Sequence, residues 1–180
     1  ANVNIYPDGA VDVRIGTQDL GVGTRTIVAS VVAEELELEL ADVKPLIGES
    51  DYPWAPNSGG SVTAPSISPT IKLASEKAKN ELIKAVAEEH GVDVSTVKYA
   101  KKQFDVNGTK VDWKKACSYL DGKPISVLES WAEGLSDRGT AGCQFAEVEV
   151  DTETGRVKVL RMVAVPVSYT HLRAHETHID

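Results

Sequence analysis

Between Ile15 and Thr24 the hydrophobic repeat of this chain changes from two residues to 3.6 across a glycine-containing stretch. Before the change, residues 2–6 and 11–15 alternate apolar and polar side chains around Pro7-Asp8-Gly9, a turn tripeptide in which proline sets φ and glycine accepts a positive φ. This predicts a β-hairpin. After it, Ile27, Val28, Val31, Val32 and Leu36 form the stripe of an amphipathic helix over residues 24–37. A fold that places a sheet strand directly before a helix is thereby required, and an all-α or all-β chain is excluded.

The remaining elements keep this mixture. Val43 to Ile47 reads as a short strand that Pro45 makes an edge or irregular one. Residues 51–66 hold three prolines and the adjacent pair Gly59-Gly60 with almost no periodicity, which predicts a long loop. Ser68 is placed as the cap of a second helix with Pro69 at its first position, Ile71, Ala74, Ala78, Leu82, Ala85 and Val86 as its buried stripe, and His90-Gly91 as its end. A helical turn over 93–97, a hairpin over 98–111 with Asn107-Gly108 at its tip, a short helix over 113–120 and a strand over 124–131 complete this stretch. The clearest hairpin pairs 143–150 with 157–165. Strands and helices mix without regular βαβ alternation, so the expected fold class is α+β.

A net charge of −8 argues against a nucleic-acid or anionic-membrane surface, which need clustered Lys and Arg. No apolar run approaches the roughly 18–20 residues of a membrane span, and no signal-peptide pattern opens the chain. Cys117 and Cys143 are too few for a disulfide framework and have no metal-type spacing. Both ends read as cut, and residues 166–180 break in composition from the β-prone run before them. The segment Val167 to Thr177 looks like translated adapter sequence. The expected organisation is therefore a domain over 1–165 and a non-native tail over 166–180. His171, His175 and His178 share one helical face within that tail, but an accidental clustering explains them better than a zinc site.

Two loops could carry function. Gly16-Thr17-Gln18-Asp19-Leu20-Gly21-Val22-Gly23-Thr24-Arg25-Thr26 joins a strand to a helix. Its glycines let backbone approach a ligand, and the helix start after them suits an anion. It is neither a P-loop nor a dinucleotide fingerprint, because the Lys-Ser/Thr pair and the glycine spacing are absent. Ser58-Gly59-Gly60-Ser61-Val62-Thr63 is the second, with small and hydroxylated residues that leave amides free for an anion. One ligand with a phosphate and a polar ring system could bridge them. Glu34-Glu35, Glu88-Glu89 and Glu147/Glu149 read as solvated faces, Trp54, Trp113 and Trp131 as core or rim anchors, and neither cysteine as a nucleophile.

Taken together with Val32-Ala33-Glu34-Glu35-Leu36, Ile47-Gly48-Glu49-Ser50-Asp51 and Phe145 to Gly155, these loops resemble the molybdopterin-binding large subunit of the xanthine dehydrogenase and aldehyde oxidase family, in order and spacing over residues 1–165. The resemblance implies a molybdopterin cofactor, extended as a cytosine dinucleotide in many bacterial members. It implies that Gln18, Gly21, Val22, Gly23 and Thr24, with Gly60, Ser61, Val62 and Thr63, line that cofactor. It further implies hydroxylation of an aldehyde or N-heteroaromatic carbon with water as oxygen source. Partner subunits or domains would carry FAD and a 2Fe–2S cluster, in the cytoplasm, or in the periplasm if a leader preceded residue 1. The family's catalytic glutamate lies beyond residue 165, so this chain alone is expected to be inactive. Many members place Gln where Val22 stands, and valine cannot hydrogen-bond an oxo ligand. A non-catalytic binding domain that keeps the fold is the alternative.

Overall fold

The change of repeat is realised as a strand, a helix and a second strand in one sheet. In a computed structural model, which describes residues 1–60, 62–131 and 142–166, the chain divides into two units, Ala1–Ser136 and Asp137–Asp180. In the first unit, β1 (Asn2–Ile5) and β2 (Val11–Ile15) pair antiparallel, with Asn2 opposite Arg14 and Ile5 opposite Val11. Helix α1 (Thr24–Leu36) buries Val28, Val32 and Leu36, and returns the chain to β3 (Val43–Ile47). β3 lies parallel to β2, Val11 opposite Val43. One βαβ crossover is thus present in a fold that otherwise lacks that alternation. Pro45 sits on the outermost strand, where its missing N–H breaks no ladder.

Helix α2 (Thr63–His90) spans 28 residues and begins five residues before Ser68, the position expected for its cap. Pro69 therefore lies inside the helix rather than at its first position. The reason is local and tertiary at once. Pro65 falls in the first turn, where no N–H is missed, and Ile67, Thr70, Ile71 and Ala74 are all buried, so packing outweighs the bond Pro69 cannot donate. Gly91, at φ +61, stops the helix as expected.

β4 (Val97–Ala100), β5 (Gln103–Val106) and β6 (Thr109–Asp112) form a second, three-stranded sheet where a single hairpin is expected. The unforeseen turn is Lys101-Lys102, both residues at positive φ like Asn107-Gly108 at the next turn. A lysine pair carries no turn signal; here Lys101 N–H donates to the Glu37 carboxylate (2.7 Å), a contact only the fold supplies. Helix α3 (Trp113–Cys117) starts at Asp112, whose side chain accepts from Lys115 N–H (3.0 Å), and runs into a 3₁₀ turn over Ser118–Leu120. β7 (Ile125–Leu128) then closes the first sheet beside β1, in the order β3-β2-β1-β7. Phe104, Ile5, Ile15, Leu36, Ile67, Ile71 and Leu82 are fully buried in the resulting core. Trp113 is anchored in it, its Nε1–H donating to Gly9 O (2.8 Å).

In the second unit, β8 (Gly142–Val150) pairs antiparallel with β9 (Val157–Pro166), with an irregularity between Glu147, opposite Arg161, and Val148, opposite Val159. The expected hairpin is present. The tail from residue 167 onward, with its three histidines, lies outside the described residues.

Candidate cofactor-binding site

The first loop leaves the sheet at Gly16. Its N–H donates to Pro53 O (2.7 Å), and a Cβ built on it would lie 2.9 Å from that same oxygen. Only glycine lets the end of β2 lie against the 51–56 segment. That contact aligns the next two residues with the second loop. Thr17, fully buried, brings its Oγ1 to 3.4 Å from Ser58 Oγ. Gln18 Oε1 accepts from Ser58 N–H (2.9 Å), while Ser58 Oγ–H donates to Gln18 O (2.7 Å). Two loops some forty residues apart in sequence therefore lie side by side.

Beyond Gln18 the chain turns through Gly21 (φ +87) and Gly23 (φ +77) into α1, with Ile27 N–H closing the first helical bond on Gly23 O (3.0 Å). Val22, 43% exposed, and Leu20 face outward. The helix start does not stand open to an external anion as the sequence suggests. Asp19 reaches back, and its carboxylate accepts from Gly21 N–H (3.0 Å) and Arg25 N–H (3.1 Å). Burial pushes this carboxyl up, and the amides of Arg25, Gly21, Thr24 and Val22 together outweigh that effect and hold it below the usual aspartate range. Thr24 is buried, and its Oγ1 has no hydrogen-bond partner among the described residues.

The second loop reaches α2 differently. Val62 N–H donates to Gly59 O (3.2 Å), Gly60 has φ +56, and the N-cap residue Val62 has no polar side chain. Thr63 is 8% exposed and Val62 47%. Ser61 lies outside the described residues. Among the described residues, no atom beyond the chain neighbours lies within 4 Å of the place a Cβ would take at Gly21, Gly59 or Gly60.

Other candidate groups stay out of any site. Burial raises the Cys117 thiol to about 12, so it is not a nucleophile at neutral pH. Glu35 is paired with Lys79. Among the described residues no three His, Cys, Asp or Glu side chains gather as a metal site, and no helix is long and apolar enough to cross a membrane. Three residues that shape the site (Gly16, Asp19 and Ser58) stand in the motifs, yet the expected contact set omits them. Their partners are Pro53, local amides and Gln18, and for Gly16 and Ser58 no periodicity announces the pairing.

A strand-to-helix glycine turn is thus hydrogen-bonded to a hydroxyl-bearing loop. The chain belongs to the molybdopterin cofactor-binding domain family, whose model matches residues 1–166. It is 30% identical over 169 residues to the aldehyde oxidoreductase molybdenum-binding subunit PaoC of Escherichia coli O157:H7, covering 92% of this chain and 22% of that one. To the carbon monoxide dehydrogenase large chain of Afipia carboxidovorans it is 25% identical over 175 residues, with the same coverage. The crystal structure of the Cu,Mo-CO dehydrogenase in its carbon monoxide reduced state shares the fold at a TM-score of 0.74 and 22% identity, over 91% of this chain and 22% of that one. The chain thus spans about a fifth of the length of the relatives it matches. The features of these loops fit such a cofactor: a buried Thr24 hydroxyl without a partner, and glycine backbone with no atom against it, among the described residues.

Proposed function

We propose that this chain is the part of a molybdenum oxidoreductase large subunit that grips the pterin cofactor through two joined loops. The observation that carries this is the pair of hydrogen bonds between Gln18 and Ser58, which makes one surface of two sequence-distant segments. In this assignment Gln18, Gly21, Val22, Gly23 and Thr24 contribute one wall, and Gly60, Ser61, Val62 and Thr63 the other. When bound, the cofactor would supply two-electron oxidation chemistry. The chain's own residues would bind and orient it: amides and hydroxyls as donors, glycines to admit close approach, and Val22 and Leu20 to exclude water from one side.

The complete enzyme would then hydroxylate an aldehyde or N-heteroaromatic carbon with water as oxygen source. Its cofactor could carry the cytosine dinucleotide extension, FAD and 2Fe–2S partners would remove electrons, and the setting would be the cytoplasm. The 180-residue chain alone would not turn over. Relatives of matching sequence are a molybdenum-binding subunit and a dehydrogenase large chain, which supports this placement. Val22 favours a second reading, a binding domain without catalysis, because its isopropyl group offers no hydrogen bond where many family members carry Gln.

Gly59→Phe in the complete subunit tests the assignment. Among the described residues its Cβ meets nothing within 4 Å, so the first atom of the added side chain is accommodated while the ring enters the space the ligand needs. Metal analysis is expected to show most of the molybdenum lost. Full occupancy would refute the site.

A further inference from the structure

Helix α1 begins with an anion already in place. Its first-turn N–H groups have no intrahelical partners, and such a helix start carries about half a positive charge. Asp19 fills that position from within the chain, one oxygen accepting from Gly21 N–H (3.0 Å) and the other from Arg25 N–H (3.1 Å). The two left-handed glycines at 21 and 23 let the backbone curl around the carboxylate in so few residues. Both oxygens are engaged and both amides are used. The same turn also carries open Gly21 backbone and the exposed Val22 side chain, with the exposed Arg25 in the first turn of the helix.

We propose that Asp19 is a positioning residue that sets the shape of the Gly21–Gly23 turn and occupies the Gly21 and Arg25 amides, so that an anionic group of the ligand does not bond them. This rests on the assignment of the turn to the cofactor site. It assigns the turn to shape recognition, and it makes Asp19 a residue that acts on the ligand only through the backbone it holds.

The test uses the ¹⁵N-labelled full chain as wild type, Asp19→Asn and Asp19→Ala, with two readouts at the Gly21 and Arg25 amides. The first is hydrogen exchange; the second is the response to inorganic phosphate at constant ionic strength. In the wild type both amides are expected to be protected and to ignore millimolar phosphate. Asp19→Ala is expected to speed their exchange by about tenfold or more, the scale of one lost charge-assisted hydrogen bond, and to make both resonances move with phosphate. Asp19→Asn keeps one acceptor oxygen, so at least one of the two amides should lose protection while the other retains it. Wild-type amides that exchange as fast as those of the alanine variant, or that shift with phosphate, overturn the proposal. If the alanine variant fails to fold, unchanged protection of both amides in Asp19→Asn does the same. Unchanged molybdenum in Gly59→Phe together with the expected exchange pattern would instead discard the cofactor assignment and leave Asp19 as the anchor of the turn.

Discussion

Helices α1 and α2 both start from a glycine-bearing loop, and the two loops touch at Gln18 and Ser58, yet the residues at their helix starts differ. At α1 the chain folds its own carboxylate onto the first amides. At α2 the N-cap residue Val62 has no polar side chain to offer, no acidic residue lies in the first turn, and Pro65 removes one donor outright. The glycines differ too. Gly16 is pressed against Pro53 O, whereas Gly59 opens onto empty space. One loop is thus stiffened by internal bonding and a packed glycine, while its neighbour carries a glycine with no described atom against it.

Substitution at Gly16 should have the largest effect. Gly16→Val forces a Cβ against a backbone oxygen that cannot swing aside, and is expected to cost about 2–3 kcal/mol in urea denaturation. Asp19→Ala comes next, at about 1–2 kcal/mol, as for the loss of a helix cap.

It should also change the acid limb of stability. Asp19 is held below the ordinary aspartate range in the fold, so on acidification the unfolded chain takes up its proton first, near pH 4. Its contribution is therefore present above about pH 4 and is lost as pH falls through the lower folded value. Asp19→Asn should remove that portion of the slope, read from denaturation midpoints between about pH 2 and pH 6. A slope unchanged by the substitution would mean that the carboxylate does not hold the turn.

Ser58→Ala removes the hydroxyl bond to Gln18 O and should cost about 1 kcal/mol by the same measurement. Gly59→Ala is the smallest: with open space around it and no positive φ, it should fall within about 0.5 kcal/mol of wild type, or stabilise slightly by restricting the unfolded chain. If Gly59→Ala proved as costly as Gly16→Val, the distinction between a packed and an open glycine would collapse.

Much of the architecture is legible in the residues. The β1–β2 hairpin, the α1 stripe, the edge position of Pro45 and the β8–β9 hairpin arise from local period and turn chemistry, each encoded within a dozen or so consecutive side chains. The start of α2 is not, because a proline at the seventh position reads as a boundary until the burial of Ile67, Ile71 and Ala74 is known. The Lys101-Lys102 turn is likewise silent, its left-handed residues being tied down by Glu37, some sixty positions away. At the site, the two glycine-bearing motifs and their family resemblance stand out in sequence, whereas the division of labour within them does not.

What the sequence determined alone is thus most of the elements and the presence of two glycine-bearing loops, since residue type and spacing act over a single turn or pleat. The tertiary structure alone decided that β2 and β3 run parallel, that Gly16 abuts Pro53, and that Ser58 answers Gln18. It also decided that the positive end of α1 is satisfied by Asp19 rather than left for an incoming phosphate. These are outcomes of which groups meet in space. A polar atom's role is set by the partner it finds, and a linear pattern names the atom without naming the partner.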